Sequence, residues 1–128
     1  MVNWAGIGAG ALGIAVMLGA FGAHVLRSRL DAYSMDVFER AVFYHFIHAL
    51  GLLVTPLFVR AGLLSITVGN RVAAAFLIGI LLFSGSLYAL AISGVRVLGA
   101  VTPFGGVAFI LAWIMLAIGL FRKPSARS

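Results

Sequence analysis

The sequence predicts an all-α membrane protein, a four-transmembrane-helix up-down bundle with a short amphipathic connector between helices one and two. Four apolar runs fill most of the 128 residues, and each has about the 20 residues that cross a hydrocarbon core of about 30 Å. The chain is 63% hydrophobic and 9% charged, with a mean hydropathy of +1.18, which leaves too little polar surface for a soluble domain. The predicted spans, all in a single domain of residues 1–128, are Val2–Leu26, Ala41–Val59, Val72–Ser93 and Thr102–Phe121.

The charge pattern fits a membrane protein and argues against nucleic-acid binding. The formal net charge is +6, but the nine basic residues are scattered at or beyond the ends of the spans. Arg and Lys at such positions meet phospholipid headgroups. No basic patch with interleaved aromatic residues is present, as a nucleic-acid interface would need. The chain contains no cysteine, which excludes disulfides, thiolate metal sites and thiol redox chemistry within it.

The basic residues also predict an orientation. In an up-down bundle the N-terminus, the second loop and the C-terminal tail share one side of the membrane. That side carries five basic residues, and the first and third loops carry four. We therefore expect both termini in the cytoplasm. The five are Arg60, Arg71, Arg122, Lys123 and Arg127, and the four are Arg27, Arg29, Arg40 and Arg96.

The first span is dense in small residues. Its start lacks the positive region of a signal peptide and its apolar stretch is too long for one, so we expect it to be retained as a helix. Small residues four apart let the backbones of membrane helices approach closely. The glycines predicted to pack against other helices are Gly6, Gly10, Gly13, Gly19 and Gly22.

Residues 8–13 of this span also spell G-x-G-x-x-G, the pattern of a dinucleotide-binding turn. These glycines lie inside an unbroken apolar run, and the sequence that follows does not alternate between strands and helices. The pattern therefore does not predict nucleotide binding here.

The connector, Arg27–Arg40, is the strongly polar stretch of the chain. Its apolar residues recur at helical spacing, which predicts an amphipathic helix, capped by Ser28 with Asp31 three residues on. This helix can lie in the membrane interface or extend the second span beyond the membrane. A solvated connector with one apolar face is the simpler interpretation. The apolar positions are Leu30, Tyr33, Val37, Phe38 and Ala41.

Prolines mark two of the spans. Pro56 lies inside the second span and is expected to kink it near its cytoplasmic end, because proline removes a helical hydrogen bond. Thr102 and Pro103 open the fourth span as a predicted N-cap followed by proline at the first helical position.

Polar residues concentrate toward one leaflet, the one away from the termini. The span bounds place two histidines in the first turns of the second helix, and the others near the matching ends of the remaining helices. Polar groups in a bilayer are costly unless they are paired or face a cavity, so we treat this cluster as the candidate site. Its members are His24, His45, His48, Ser84, Ser86, Tyr88 and Thr102.

Several roles are open for this cluster. Three imidazoles can hold a metal ion, two from different helices can ligate haem iron, and titrating histidines can serve a proton path. The favoured interpretation is structural, because such residues near helix ends hydrogen-bond neighbouring helices and hold a bundle in register. The three carboxylates lie together in the connector, and no histidine or acid near Ser84 or Ser86 supports nucleophilic catalysis, so we do not expect an enzyme.

Four motifs in the chain resemble the signature of one family. They are GAFGAH at residues 19–24, YHFIHAL at 44–50, LFSGSLY at 82–88 and TPFGG at 102–106. The chain is similar in these blocks to domain-of-unknown-function family 423, small bacterial inner-membrane proteins with relatives in mitochondrial membranes. The resemblance implies four membrane helices and an inner-membrane location. It implies no chemistry, so no catalytic or ligand-binding role comes from it.

The sequence leads to three functional hypotheses. The first is an accessory or assembly subunit that packs in the bilayer against other transmembrane helices, in a homo-oligomer or a larger membrane complex, with no cofactor. The second is a protein that binds haem, quinone, metal or a lipid-like ligand at the polar cluster. The third is a small oligomeric transporter.

Overall fold

The protein is described by a computed structural model that covers residues 2–122. These residues contain four long helices and no strand, which confirms the predicted all-α membrane class. The basic residues Lys123 and Arg127 lie outside the described part. The helices are α1, Trp4–His24, α2, Ala32–Arg60, α3, Ile66–Ser93, and α4, Thr102–Phe121. All four are long and apolar enough to cross a membrane.

Helix α1 begins at an asparagine cap, in which Asn3 Oδ1 accepts a hydrogen bond from the Gly6 amide at 2.9 Å. Its buried residues are Gly8, Ala15 and Gly22, one every seven positions. A seven-residue spacing keeps these residues on one side of the helix. Because all three are small, α1 lies close against its neighbour along its whole length.

Helix α2 is longer than its apolar run predicts. The second half of the connector, from Ala32 onward, forms its first turns, so the connector extends the second span beyond the membrane, one of the two alternatives. The prediction that Ser28 caps this helix is wrong. Asp31 is the N-cap and its Oδ1 accepts a hydrogen bond from the Ser34 amide at 2.7 Å. Hydrogen bonding and caps decide where a helix begins, whereas apolarity decides only which part meets lipid.

Helix α2 continues through Pro56 to Arg60, so the proline does not end it. The ring cannot donate a backbone hydrogen bond to the carbonyl four residues earlier. The neighbouring Thr55, which is buried, donates its hydroxyl to the Gly51 carbonyl at 2.7 Å. This carbonyl is not the one that the proline leaves without a donor, which belongs to Leu52. The Thr55 bond therefore ties the side chain to its own helix and does not replace the bond that the proline removes.

Helix α3 begins at Ile66, six residues before the predicted Val72, because Ser65 caps it through the Val68 amide at 3.2 Å. It consists of two α-helical stretches, Ile66–Gly79 and Gly85–Ser93, joined by a π-helical turn over Ile80–Ser84. The sequence did not predict this turn. The helix ends at Gly94, whose φ of 72° is a left-handed conformation that favours glycine.

Helix α4 has the predicted bounds, and Pro103 lies in its first turn. The prediction that Thr102 caps it is wrong, because Val101 holds the N-cap position. The Thr102 hydroxyl instead forms a hydrogen bond with Ser86 of α3 at 2.6 Å. The Thr102 hydroxyl therefore bonds to a neighbouring helix instead of capping its own helix.

The helices are antiparallel to their neighbours in sequence, as an up-down bundle requires. Close contacts at glycines show this antiparallel pairing, because the missing side chain admits a neighbouring helix. A Cβ at Gly8 would lie 2.7 Å from the Leu53 backbone nitrogen, and one at Gly22 would lie 2.7 Å from the Phe38 ring. Between α3 and α4, Gly105 packs in the same way on the Phe83 backbone.

Helices α2 and α3 form the centre of the bundle, and α1 and α4 flank it. One core cluster includes Leu52, Phe76 and Phe109, and the other includes Phe38 and Leu87. Helix α1 is the least covered: 17% of its most apolar stretch is buried, against 39% of that in α3. One broad side of α1 therefore faces the surroundings of the bundle.

Candidate functional site

Six of the seven predicted polar residues, all except His24, lie between helices as separate hydrogen-bonded groups. The most deeply buried is Ser84, at the end of the π-helical turn, with no exposed surface. Its hydroxyl donates to the Ala41 carbonyl of α2 at 2.9 Å. This bond links the two central helices where α2 leaves the charged connector.

His45 pairs with Tyr88 across the same interface. The His45 Nδ1 lies 2.8 Å from the Tyr88 hydroxyl, and Phe38 covers the tyrosine with ring centroids 5.2 Å apart. The Ala11 carbonyl of α1 also lies near the imidazole. One histidine thus contacts residues of two other helices.

His48, one turn further along α2, faces α4. Its Nδ1 lies 2.7 Å from the Tyr44 carbonyl oxygen. A carbonyl only accepts, so Nδ1 carries the proton and, in the neutral ring, Nε2 carries the lone pair. The imidazole stacks on Phe109 with centroids 3.5 Å apart and planes 11° from parallel. His48 therefore joins α2 to α4 through an aromatic stack.

Ser86 and Thr102 join α3 to the start of α4. The Ser86 hydroxyl donates to the Phe83 carbonyl at 3.0 Å, and a hydroxyl has a single proton to give. In the 2.6 Å contact between the two hydroxyls, Thr102 is therefore the donor and Ser86 the acceptor. Both side chains are satisfied by this short chain of bonds.

His24 does not join the other histidines. It is exposed at the end of α1, four residues after Ala20. His45 and His48 lie farther from the start of α2 than predicted, because α2 begins at Ala32 rather than at Ala41. They are about three and a half turns or more into α2 rather than in its first turns. Among the described residues no group of three His, Asp or Glu side chains is placed to hold a metal ion.

The buried polar side chains of residues 2–122 all find their hydrogen-bond partners within the bundle. No buried side-chain nitrogen or oxygen there is left without a hydrogen-bond partner. Each bond identified above either joins two helices or ties a side chain to its own helix. We refer to Ser84, His45, Tyr88, His48, Ser86 and Thr102 as the polar layer. Its geometry holds the helices in register.

The predicted packing glycines divide into two sets. Gly22 faces Phe38 and Gly19 faces Val42 in α2, so both pack inside the bundle. At Gly10 and Gly13 no atom of another helix lies within 4 Å of the position that a Cβ would occupy, and Gly6 is near only the Asn3 side chain. We define the outward face of α1 as Gly6, Gly10, Gly13 and Ala20, all exposed.

Sequence reasoning missed Gly8 and Gly79, which admit Leu53 and Phe109 respectively. The signal for Gly8 was available. It recurs with Ala15 and Gly22 every seven residues, which places it on the inward side of α1. Gly79 follows Ala75 by four residues, a spacing of small residues that lets membrane helices approach closely.

The known proteins that are similar to this chain are membrane proteins of a family of unknown function. A family model described as "Protein of unknown function (DUF423)" matches residues 18–106. A UPF0382 membrane protein of Staphylococcus saprophyticus is 48% identical over 109 residues, covering 85% of this chain and 88% of the relative. A UPF0382 membrane protein of Bacillus subtilis is 44% identical over 111 residues, covering 85% and 88%. One of Haemophilus influenzae is 39% identical over 110 residues, covering 86% of each chain. No solved structure matches the chain.

Proposed function

Because the chain belongs to the DUF423 family, membrane proteins of unknown function, we propose its role from the surface it presents to other helices. That role is a non-catalytic accessory or assembly subunit. It packs against another transmembrane helix, in a homo-oligomer or in a larger membrane complex. The observation that carries the proposal is the outward face of α1.

This face suits a helix partner better than lipid. Gly6, Gly13 and Ala20 are seven residues apart, so they share one side of α1, and Gly10 adds the four-residue spacing from Gly6. With nothing covering Gly10 and Gly13, a second helix can approach to backbone contact. In a bilayer, close packing of this kind and hydrogen bonds drive helix association, because lipid tails are as apolar as the side chains.

His24 supports the same surface. It follows Ala20 by four residues and therefore continues the outward face at the end of α1. A histidine exposed at this position can form a hydrogen bond with a partner helix. The family match begins at residue 18, so three glycines of this face precede it. We therefore propose the surface for this chain and do not extend it to the family.

The polar layer supports a structural role in the same proposal. Its side chains hold α2, α3 and α4 in register, so the bundle presents α1 from a fixed framework. Haem, quinone or metal at these histidines is the alternative function. His45 and His48 lie on one helix with His24 apart from them, and among residues 2–122 no group of three His, Asp or Glu side chains is placed to hold a metal ion, so we do not adopt it. A Soret band in the purified protein that His48→Ala removes would establish it instead.

We further propose the inner (plasma) membrane as the location, with both termini in the cytoplasm. The argument is the basic residues counted by side and the resemblance to inner-membrane proteins. Arg60, the last residue of α2, and Arg71, in the second turn of α3, would then meet the anionic cytoplasmic leaflet.

The assembly role is tested by enlarging the outward face. Gly10→Leu and Gly13→Leu are expected to convert the native assembly to a smaller species on a blue native gel, because leucine holds the partner backbone away. Ala117→Leu, at an exposed position of α4, is the matched control and should leave the assembly intact. Unchanged mobility of both glycine variants would show that this face is not the contact.

A single-cysteine variant distinguishes the two kinds of partner. The chain has no cysteine, so Gly10→Cys carries the only thiol. In a homo-oligomer, mild oxidation is expected to form a cross-linked dimer that Ala117→Cys does not form. A native complex that contains the chain but yields no such dimer assigns the face to a different membrane protein.

A further inference from the structure

A cleft at the surface of the bundle lies between the end of α1 and the first half of α2. Its volume is about 120 Å³. Gly19 and Val42 line its inner end, Gly22 and Phe38 its middle, and Arg27 and Glu39 its outer end. At 1.5 Å per residue the lining from Gly19 to Arg27 extends about 12 Å along the bundle.

The cleft changes from apolar to charged along its length. Its inner part consists of glycine surface, a valine and a phenylalanine ring, which match the hydrocarbon of a lipid. Arg27 lies just beyond the end of α1, and Glu39 lies in the charged stretch of α2 that also holds Asp36 and Arg40. The change occurs where the hydrocarbon gives way to the headgroup region.

The charged end is available to a ligand. The Arg27 Nη2 to Glu39 Oε1 distance is 3.5 Å, and the side chains are 69% and 53% exposed. A long, exposed ion pair of this kind contributes little to stability. The guanidinium has five N–H donors, and only this one contact is found for it among the described residues. It can therefore bind a phosphate group through two donors while Glu39 accepts from a cation.

We propose that this cleft binds one phospholipid with a zwitterionic, primary-amine headgroup, phosphatidylethanolamine. The phosphate contacts Arg27, the ammonium contacts Glu39, and the upper part of one acyl chain lies against Gly19 and Val42. Charge complementarity selects this headgroup, because Glu39 repels a headgroup that is only anionic. The site lies apart from the outward face of α1, so the proposal does not rest on the assembly role.

Glycine at two positions keeps the cleft open. A Cβ at Gly22 would lie 2.7 Å from the Phe38 ring, so any substitution there disturbs folding. A Cβ at Gly19 would lie 3.5 Å from Val42, an ordinary contact. Gly19→Leu should therefore fold and fill the inner end of the cleft, which makes it the variant for a binding test.

The test is native mass spectrometry of the delipidated full chain in detergent, titrated with dioleoyl-phosphatidylethanolamine or dioleoyl-phosphatidylglycerol. The wild type is expected to bind one ethanolamine lipid at least about threefold more tightly than the glycerol lipid, a difference typical of one exposed charge pair. Glu39→Gln is expected to reverse this preference. Arg27→Gln and Gly19→Leu are expected to weaken binding of both lipids.

Two control variants match these changes. Arg29→Gln removes a neighbouring exposed charge, and Val16→Leu enlarges an exposed position about one turn before Gly19 that does not line the cleft. Both should bind lipid as the wild type does. Equal binding of the two lipids in the wild type, unchanged in Glu39→Gln and Gly19→Leu, would indicate unspecific annular lipid and overturn the proposal. A polypeptide that co-purifies and blocks binding would assign the cleft to a protein partner and overturn it equally.

Discussion

At the scale of single residues, the polar layer follows one rule. A polar group inside a bilayer bundle is retained where another helix supplies its partner. Ser84 reaches a backbone carbonyl of α2, His45 reaches Tyr88, and Thr102 reaches Ser86. These contacts supply a hydrogen-bond partner to the polar residues at this end of the bundle.

The Ser86–Thr102 pair gives a measurable coupling. We expect Ser86→Ala and Thr102→Val to be non-additive, with a coupling free energy of about 0.6 kcal/mol and at most about 1.7 kcal/mol, the range of side-chain hydrogen bonds between membrane helices. A double-mutant cycle on unfolding in mixed micelles measures it. Additive effects of the two substitutions would mean that the 2.6 Å contact contributes nothing to stability.

Among the described residues outside the spans, Asp31 is the one whose pKa departs from its ordinary value. The Ser34 amide that it caps, the Ser34 hydroxyl and then Arg96 hold the pKa of this carboxyl below its usual 3.8. A lowered folded pKa contributes stability above the unfolded pKa and loses it as the pH falls through the folded pKa. The cap of α2 is therefore strongest at neutral pH and weakened in acid.

The predicted measurement is the NMR shift of the Ser34 amide against pH. It should titrate with an apparent pKa below 3.8, because protonation weakens the acceptor. Asp31→Asn should abolish this titration while keeping the helix start, since asparagine caps equally well. A Ser34 amide shift that is flat below pH 4 would contradict the cap in solution.

At the scale of elements, α1 has two different small-residue sides. Gly8, Ala15 and Gly22 face α2, and the outward face of α1 meets the surroundings. The same residue type therefore has opposite consequences when it is enlarged. Enlarging an inward residue is expected to affect folding, and enlarging an outward residue is expected to affect assembly.

This difference predicts two distinct phenotypes. Gly8→Leu should lower the free energy of unfolding by at least about 1–3 kcal/mol, the cost of overpacking, because its Cβ meets the Leu53 backbone and cannot be relieved by a rotamer change. Gly13→Leu should leave the unfolding free energy of the monomer within about 0.5 kcal/mol. Unfolding in mixed micelles compares them, and equal losses would place both glycines inside the bundle.

At the scale of the whole molecule, the flanking position of α1 agrees with an assembly role. The centre of the bundle is formed by α2 and α3, and α4 packs on α3 through Gly79 and Gly105. Helix α1 packs mainly on α2, with Trp4 Nε1 donating to Asn70 Oδ1 of α3 at 2.9 Å. The least covered helix is the one that carries the open glycines.

The orientation is tested on the whole chain. With both termini in the cytoplasm, a C-terminal fluorescent-protein fusion should fluoresce and a C-terminal alkaline phosphatase fusion should be inactive. A fusion after Arg29, in the loop between α1 and α2, should give the opposite pattern. An active phosphatase at the C-terminus would reverse the proposed topology.

Much of the architecture follows from the sequence by itself. Span number, helical class and the bounds of α4 follow from apolar run length, because a bilayer requires about 20 apolar residues to cross it in a helix. The residues of the polar layer also stand out in the sequence, since polar groups are rare in such runs.

The tertiary structure decided which residues contact each other. It separated His24 from His45 and His48, gave Thr102 to Ser86 rather than to its own helix, and introduced the π-helical turn that ends at Ser84. It also started α2 at Ala32, directly after the Asp31 cap, rather than where the apolar run begins. The physical reason is that the length of an apolar run is set by the thickness of the bilayer. A hydrogen bond or a glycine contact depends instead on which residue the neighbouring helix places opposite.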